Sequence, residues 1–176
     1  MIEYTEEQTA SMVKTARASG AIGRDPLVYR WFREESDCPI YRFSGLDASI
    51  PIKVLDYGSG PDAVHARKLM HEGWEIDVMD LALEPFVNTL ARSKAPYDVI
   101  LCSNVLNVQP TMSAVYDVLY DLKSLAREHA MIVVNYPSSP RKAGLSINCI
   151  RSAVLGVFGE YADRFKNYPG VMVVGA

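Results

Sequence analysis

Apolar residues along this chain fall into two rhythms. Residues 52–57, 74–79, 97–101, 131–134 and 171–174 are short runs rich in Val, Ile, Leu and Met, the signature of strands buried on both faces. Between them the spacing turns helical. Residues 5–18 carry Glu6 and Glu7 in a first turn, where acids suit the helix dipole, and Gly20 follows the end. After Asp25-Pro26 a second short helix is marked by Leu27, Val28, Trp31 and Phe32, the last two expected as core anchors. Further helices are predicted over 61–71, opened by Pro61 and closed by Gly73, over 83–91, from Thr111 onward through Val115, Leu119 and Leu122, and over 146–158. Strands alternating with helices predict an α/β fold, a doubly wound and mostly parallel sheet covered on both faces. Residues 1–50, ending in a turn-rich connector at 44–51, read as a helical cap on a main domain spanning 51–176.

Composition narrows the classes. The 176 residues are 49% apolar and 22% charged, which suits one globular domain and neither disorder nor fibre. A net charge of −3 gives no general attraction to nucleic acid, although Arg141, Lys142, Arg151, Arg164 and Lys166 enrich the last third in base. No run is long enough to span a bilayer and the opening residues are acidic and polar, so a cytoplasmic protein without membrane contact is expected. Cys38, Cys102 and Cys149 lack C-x-x-C spacing, which argues against zinc or disulfides and for buried thiols. His65, His71 and His129 have no partners at ligand spacing and read as ordinary helix or surface residues.

The chemistry concentrates at Lys53-Val-Leu-Asp-Tyr-Gly-Ser-Gly-Pro-Asp62, where a buried strand stops at Asp56 and turns through Gly58 and Gly60 into a helix. Glycines there allow positive φ and close approach of backbone to a ligand. A second acid, Asp80, ends the next strand, and Ser103-Asn104 ends the third. In an open α/β sheet all of these lie on the carboxyl edge, where ligands bind. Asp80 suits the hydroxyls of a ribose. Gly58-x-Gly60-x-x-Ala63 also matches a dinucleotide fingerprint, but a carboxylate at Asp56 would repel a pyrophosphate by roughly 3 kcal/mol per charge pair at ~5 Å and an effective dielectric of ~20. A cationic adenosine cofactor, S-adenosylmethionine (SAM), suits that acid better.

Val54-Leu-Asp-Tyr-Gly-Ser-Gly60, Ile76-Asp-Val-Met-Asp80 and Tyr97-Asp-Val-Ile-Leu-Cys-Ser-Asn-Val-Leu106 together resemble the first, second and fourth motifs of class I SAM-dependent methyltransferases, nearest to little-characterised bacterial and phage domains. The resemblance covers about residues 50–136. It implies that Asp56, Gly58, Ser59 and Gly60 hold the amino-acid end of SAM, Asp80 and Leu81 the ribose side, and Ser103 and Asn104 the floor near the transferred methyl. Two departures stand out. Asp62 replaces a third glycine, and the sixteen residues between Asp80 and Tyr97 leave no room for the family's third strand. The acceptor, whether RNA, nucleotide, small molecule or partner-presented, is expected between the N-terminal cap and the strand ends at Asn104 and Tyr136. A non-catalytic SAM-binding or structural protein, and an NAD-dependent oxidoreductase, remain alternatives.

Overall fold

The computed structural model describes residues 4–20, 25–35, 51–138, 141, 144–161 and 167–175; Cys38, Lys142, Arg164, Lys166 and most of the expected connector lie outside them. Five strands form one sheet: β1 (Val54–Tyr57), β2 (Ile76–Met79), β3 (Tyr97–Cys102), β4 (Ala126–Asn135) and β5 (Val171–Gly175). Their order is β2-β1-β3-β4-β5. All neighbours are parallel except β4 and β5, which run antiparallel. The chain leaves β1 for β2 on one side and returns to β3 on the other, so the switch in strand order falls at β1 and β3.

Six helices are described: α1 (Glu6–Gly20), α2 (Leu27–Glu35), α3 (Val64–His71), α4 (Pro85–Ser93), α5 (Met112–Leu125) and α6 (Ile147–Phe158). Strand periodicity divides the core in two. Leu55, Ile100, Ile132, Val134 and Met172 face α5 and α6, meeting Val118, Leu119, Leu122, Val154 and Val157. Val54, Val99, Leu101, Met131 and Val133 point the other way, onto Ala66 and Leu69 of α3 and Val28, Trp31 and Phe32 of α2. Helix α2 therefore covers the same sheet face as α3, and Phe32 lies 4.7 Å from Trp74, ring centre to ring centre. Local chemistry marks the helix starts: Thr111 and Ser146 accept the N–H groups of Ala114 and Cys149, capping α5 and α6.

Two elements differ from the expectation, each for a local reason. Pro61 does not open α3. The chain first winds through Ala63, which adopts left-handed φ 45°, and the helix begins at Val64. Strand β4 starts five residues earlier than its apolar run, because Arg127, Glu128 and His129 are polar and the register shifts between Tyr97 and Val99. The residues between β2 and β3 hold α4 alone, and among the described residues no further strand lies beyond β2. The two described cysteines are free: Cys102 is buried, whereas Cys149 is exposed, contrary to the expectation of buried thiols.

Gly170, at φ 80°, precedes β5 and accepts the Tyr136 N–H; a Cβ there would stand 2.8 Å from the Tyr136 carbonyl oxygen. That obstacle is backbone and cannot rotate away. Gly170→Ala should therefore lower unfolding free energy by about 2–4 kcal/mol, measured by urea denaturation. A loss below about 1 kcal/mol would mean that this close approach does not constrain β5.

Candidate functional site

The glycine turn is tied down by the end of β2. Gly58 and Ser59 donate their backbone N–H groups to the Met79 carbonyl at 2.7 and 3.1 Å, and Gly60 donates to Asp80 Oδ2 at 2.9 Å. Asp80 Oδ1 accepts the Ala82 N–H at 2.8 Å. Asn88 of α4 clasps the Asp80 backbone in both directions, accepting its N–H and donating to its carbonyl. Three successive turn amides are thus consumed within the protein. Gly58 adopts the positive φ its place in the turn predicts, 82°, and is needed for a further reason: a Cβ on it would lie 2.2 Å from Val105 Cγ2, so the glycine also makes room for Val105.

Above this turn, at the carboxyl ends of β1, β2 and β3, opens a cavity of about 1220 Å³. That exceeds the roughly 300–1,000 Å³ of a single small-molecule site, so two ligands side by side can be accommodated. Gly58, Ser59, Gly60, Asp80, Leu81, Ser103 and Asn104 all line it, so seven of the nine candidate residues are brought together. Two are not. Asp56 lies fully buried just before the turn, and Tyr136 is buried elsewhere, its hydroxyl donating to the Leu145 carbonyl at 2.7 Å under the Arg141 guanidinium. Helix α1 contributes Met12, Val13 and Ala16 to the wall, and Ala16 Cβ stands 3.6 Å from a Cβ position on Gly60.

The electrostatics of the cavity are acidic. Asp62, Asp80, Asp117 and Asp121 line it against Arg17 and Arg92, and Arg92 is spent on a two-pronged bond to Asp121 at 2.8 and 2.6 Å. Tyr57 adds its hydroxyl to Asp121, and Tyr4 donates to Gln109 at 2.6 Å. Burial, helped by the Asp117 charge, pushes the Tyr4 hydroxyl up to about 12. Beneath the turn, Tyr29 of α2 donates its hydroxyl between both oxygens of Asp56, at 2.8 and 3.0 Å. Burial raises the Asp56 carboxyl to about 7; the Tyr29 bond works against that rise and the Asp80 charge adds to it.

Asn104, in left-handed φ 58°, is locked to β4: its N–H donates to Asn135 Oδ1 at 2.6 Å, and Asn135 Nδ2 donates to Asn104 Oδ1 at 2.9 Å. Sequence reasoning missed Tyr29, His65 and Asp25. His65 is no ordinary surface residue. It is buried, lines the cavity, and places Nδ1 3.0 Å from Asp25 Oδ1. Forty residues separate the pair, and no spacing rule connects them. Among the described residues, His65 Nε2 and Ser103 Oγ are buried polar atoms in the cavity wall without a partner. Acidic walls, a ribose-sized carboxylate at Asp80 and unmet polar atoms suit a cationic adenosine ligand; consumed turn amides do not suit a pyrophosphate.

Known structures share this architecture. A TehB-like SAM-dependent methyltransferase from Corynebacterium glutamicum superposes with a TM-score of 0.60 at 15% identity, covering 97% of each chain. The fold is that of class I SAM-dependent methyltransferases. Within this methyltransferase fold, SAM-bound CalS10, an amino pentose methyltransferase from Micromonospora echinaspora, matches at TM-score 0.55 and 12% identity over 99% of this chain and 98% of its own. Magnesium protoporphyrin IX methyltransferase from Synechocystis, with bound SAM, matches at 0.51 and 13% over 99% and 98%. No protein-family model and no curated protein matches the sequence. No helix among the described residues is long and apolar enough to cross a membrane.

The raised Asp56 carboxyl sets a stability test. Between its ordinary value near 3.8 and about 7, the folded state holds a proton that the unfolded chain has released, so stability falls as pH rises through that window. Ionising the buried group costs roughly 4 kcal/mol above pH 7. Asp56→Asn removes that cost at the expense of an amide left without an acceptor, about 1–3 kcal/mol. The variant should melt above wild type at pH 8 and at or below it at pH 5, by scanning calorimetry. A difference independent of pH would show that Asp56 does not titrate in this window.

Proposed function

We propose that the protein binds SAM in this cavity and transfers its methyl group to a second small molecule held beside it. The observation carrying this reading is the spent glycine turn above a buried acid. With the Gly58 and Ser59 amides bonded to the Met79 carbonyl and the Gly60 amide to the Asp80 carboxylate, these three turn amides are not free for a phosphate, and the surrounding carboxylates oppose one. A ligand with positive charge beside its ribose meets neither obstacle. Asp80 retains lone pairs on both oxygens for ribose hydroxyls, although each already accepts one backbone N–H. Leu81 and Val108 offer apolar wall beside it, and Ser103 an unmet hydroxyl.

When bound, SAM supplies a methyl made electrophilic by its sulfonium. What the chain adds is alignment and exclusion of water. Helix α1 forms part of the cavity wall, and the Asn104–Asn135 pair ties the ends of β3 and β4 together, the kind of positioning worth several kcal/mol in a two-substrate reaction. Asn104 is assigned here to the floor. Tyr136, whose hydroxyl is engaged by Leu145, is assigned no contact with the acceptor. The cap at residues 1–50 and the domain from 51 onward would meet across this cavity.

A second reading has its own support. Asn104 spends its side-chain oxygen on Asn135 Nδ2 instead of a substrate, and among the described residues no further strand flanks β2, as would suit a SAM-binding protein without turnover.

Isothermal titration separates the readings. S-adenosylhomocysteine should bind and NADH should not. Because burial raises the Asp56 carboxyl to about 7, its negative charge beneath the turn grows as pH rises from 6 to 8, so affinity for the ammonium-bearing probe should tighten over that range. Methyl transfer from labelled SAM into a fractionated small-molecule pool then tests turnover. Tight cofactor binding with no acceptor labelled supports the second reading; binding of NADH but not S-adenosylhomocysteine overturns both.

A further inference from the structure

Asp25, just before α2, is a positioning group for His65. Its Oδ1 accepts from Lys68 Nζ at 3.0 Å and lies 3.0 Å from His65 Nδ1, while Oδ2 takes Arg33 at 2.7 Å. Burial would raise this carboxyl, but the bonds from Lys68 and His65 and the charge of Arg33 hold it below the ordinary range, so it stays ionised. An ionised carboxylate at that distance fixes the tautomer: Nδ1 carries the proton and donates, and Nε2 is left with its lone pair. Burial holds the imidazole below its usual pKa against the pull of Asp25, with Lys68 and Arg33 adding to the depression, so the ring is neutral at pH 7.

The ring is clamped as well as oriented. It packs on Tyr29 with centroids 4.8 Å apart, and the Tyr29 hydroxyl is the one that bonds Asp56. His65 is 7% exposed, lines the cavity beside Gly60 and Ala63, and its Nε2 finds no donor in the described protein. A buried acceptor kept in one tautomer and one orientation is complementary to an N–H donor brought by a ligand. Lys68 and Arg33, the cations that act on the ring, are both engaged by Asp25.

We propose that His65 Nε2 receives a hydrogen bond from the α-ammonium of the cofactor's amino-acid end, with Asp25 as the residue that keeps it an acceptor. The subsite rests on the SAM reading and deepens it. His65 Nε2 is an unmet acceptor in a residue of the cavity wall, and a primary ammonium brings the N–H that it lacks; the buried Asp56, held by Tyr29 beneath the turn, adds its negative charge without touching the ligand. The ribose side is marked by Asp80, across the glycine turn.

The test compares two probes by titration calorimetry: S-adenosylhomocysteine, and its analogue with the amino group replaced by hydrogen. His65→Phe keeps a ring against Tyr29 and removes the acceptor. It should weaken S-adenosylhomocysteine about tenfold and leave the deaminated analogue unchanged. Asp25→Asn, whose amide can donate to Nδ1 and so move the ring proton to Nε2, should produce the same selective loss, and it covers the case in which the phenylalanine variant melts before it can be titrated. Equal weakening of both probes in either folded variant, or no weakening, overturns the subsite. A wild type that binds both probes while the variants lose neither leaves the cofactor reading standing without it. A wild type that binds neither probe overturns the cofactor reading and the subsite together.

Discussion

The bond between the Tyr29 hydroxyl and Asp56 joins the two halves of the chain at the point of highest electrostatic cost. Asp56 is sealed from water at the end of β1, where an isolated carboxylate is expensive, and its one described donor arrives from a helix 27 residues earlier. Because Tyr29 shares α2 with Val28, Trp31 and Phe32, satisfying the acid and covering one face of the sheet are a single act of packing. Loss of α2 would expose Val99, Leu101, Met131 and Val133 and strand the carboxylate together. The N-terminal segment thus belongs to the energetics of the sheet as much as to the cavity that it helps to enclose.

A second tie, from Asp80 to Gly60, converts sheet geometry into site geometry. The turn could swing if its amides were free; bonded to Met79 and Asp80, it moves only with β2. Asn88 extends the same constraint to α4, so the cavity wall beside β2 is set by four hydrogen bonds around one acid. Strain accompanies this rigidity. Ala63 and Asn104 both hold left-handed backbone conformations at the rim of the cavity, a pattern common where neighbouring structure overrides local preference for the sake of a site.

Much of this was legible in the residue order, and the exceptions share a cause. Val54-Leu55 and residues 99–102 announce themselves as strands because burial on both faces leaves an unbroken apolar run, and Ile76–Met79 does so through its Ile, Val and Met despite Asp77 and its half-buried middle. The glycine turn and its two acids, closely spaced along the chain, could be gathered on one sheet edge by topology alone. Arg127–His129 hid the first half of β4, because a strand that runs out into solvent looks like a loop. Tyr29 and His65 were passed over because their partners lie 27 and 40 residues away, and an aromatic on an amphipathic helix reads first as core. Tyr136, drawn to the site by its place after a strand end, turned inward toward Leu145 instead. Distance along the chain, more than weakness of any motif, separates what could be read from what could not.

Shortening a sheet moves its frontier inward. Among the described residues no strand pairs with the far side of β2, so β2 is an edge of the sheet, its outer row of backbone groups facing no neighbour of its own sheet. The chain answers with brevity and charge: four residues, with Asp77 bridged to Lys94 and met by the Tyr97 hydroxyl. A border this short and this charged is poorly suited to recruit a foreign strand, which limits growth of the sheet at its open side.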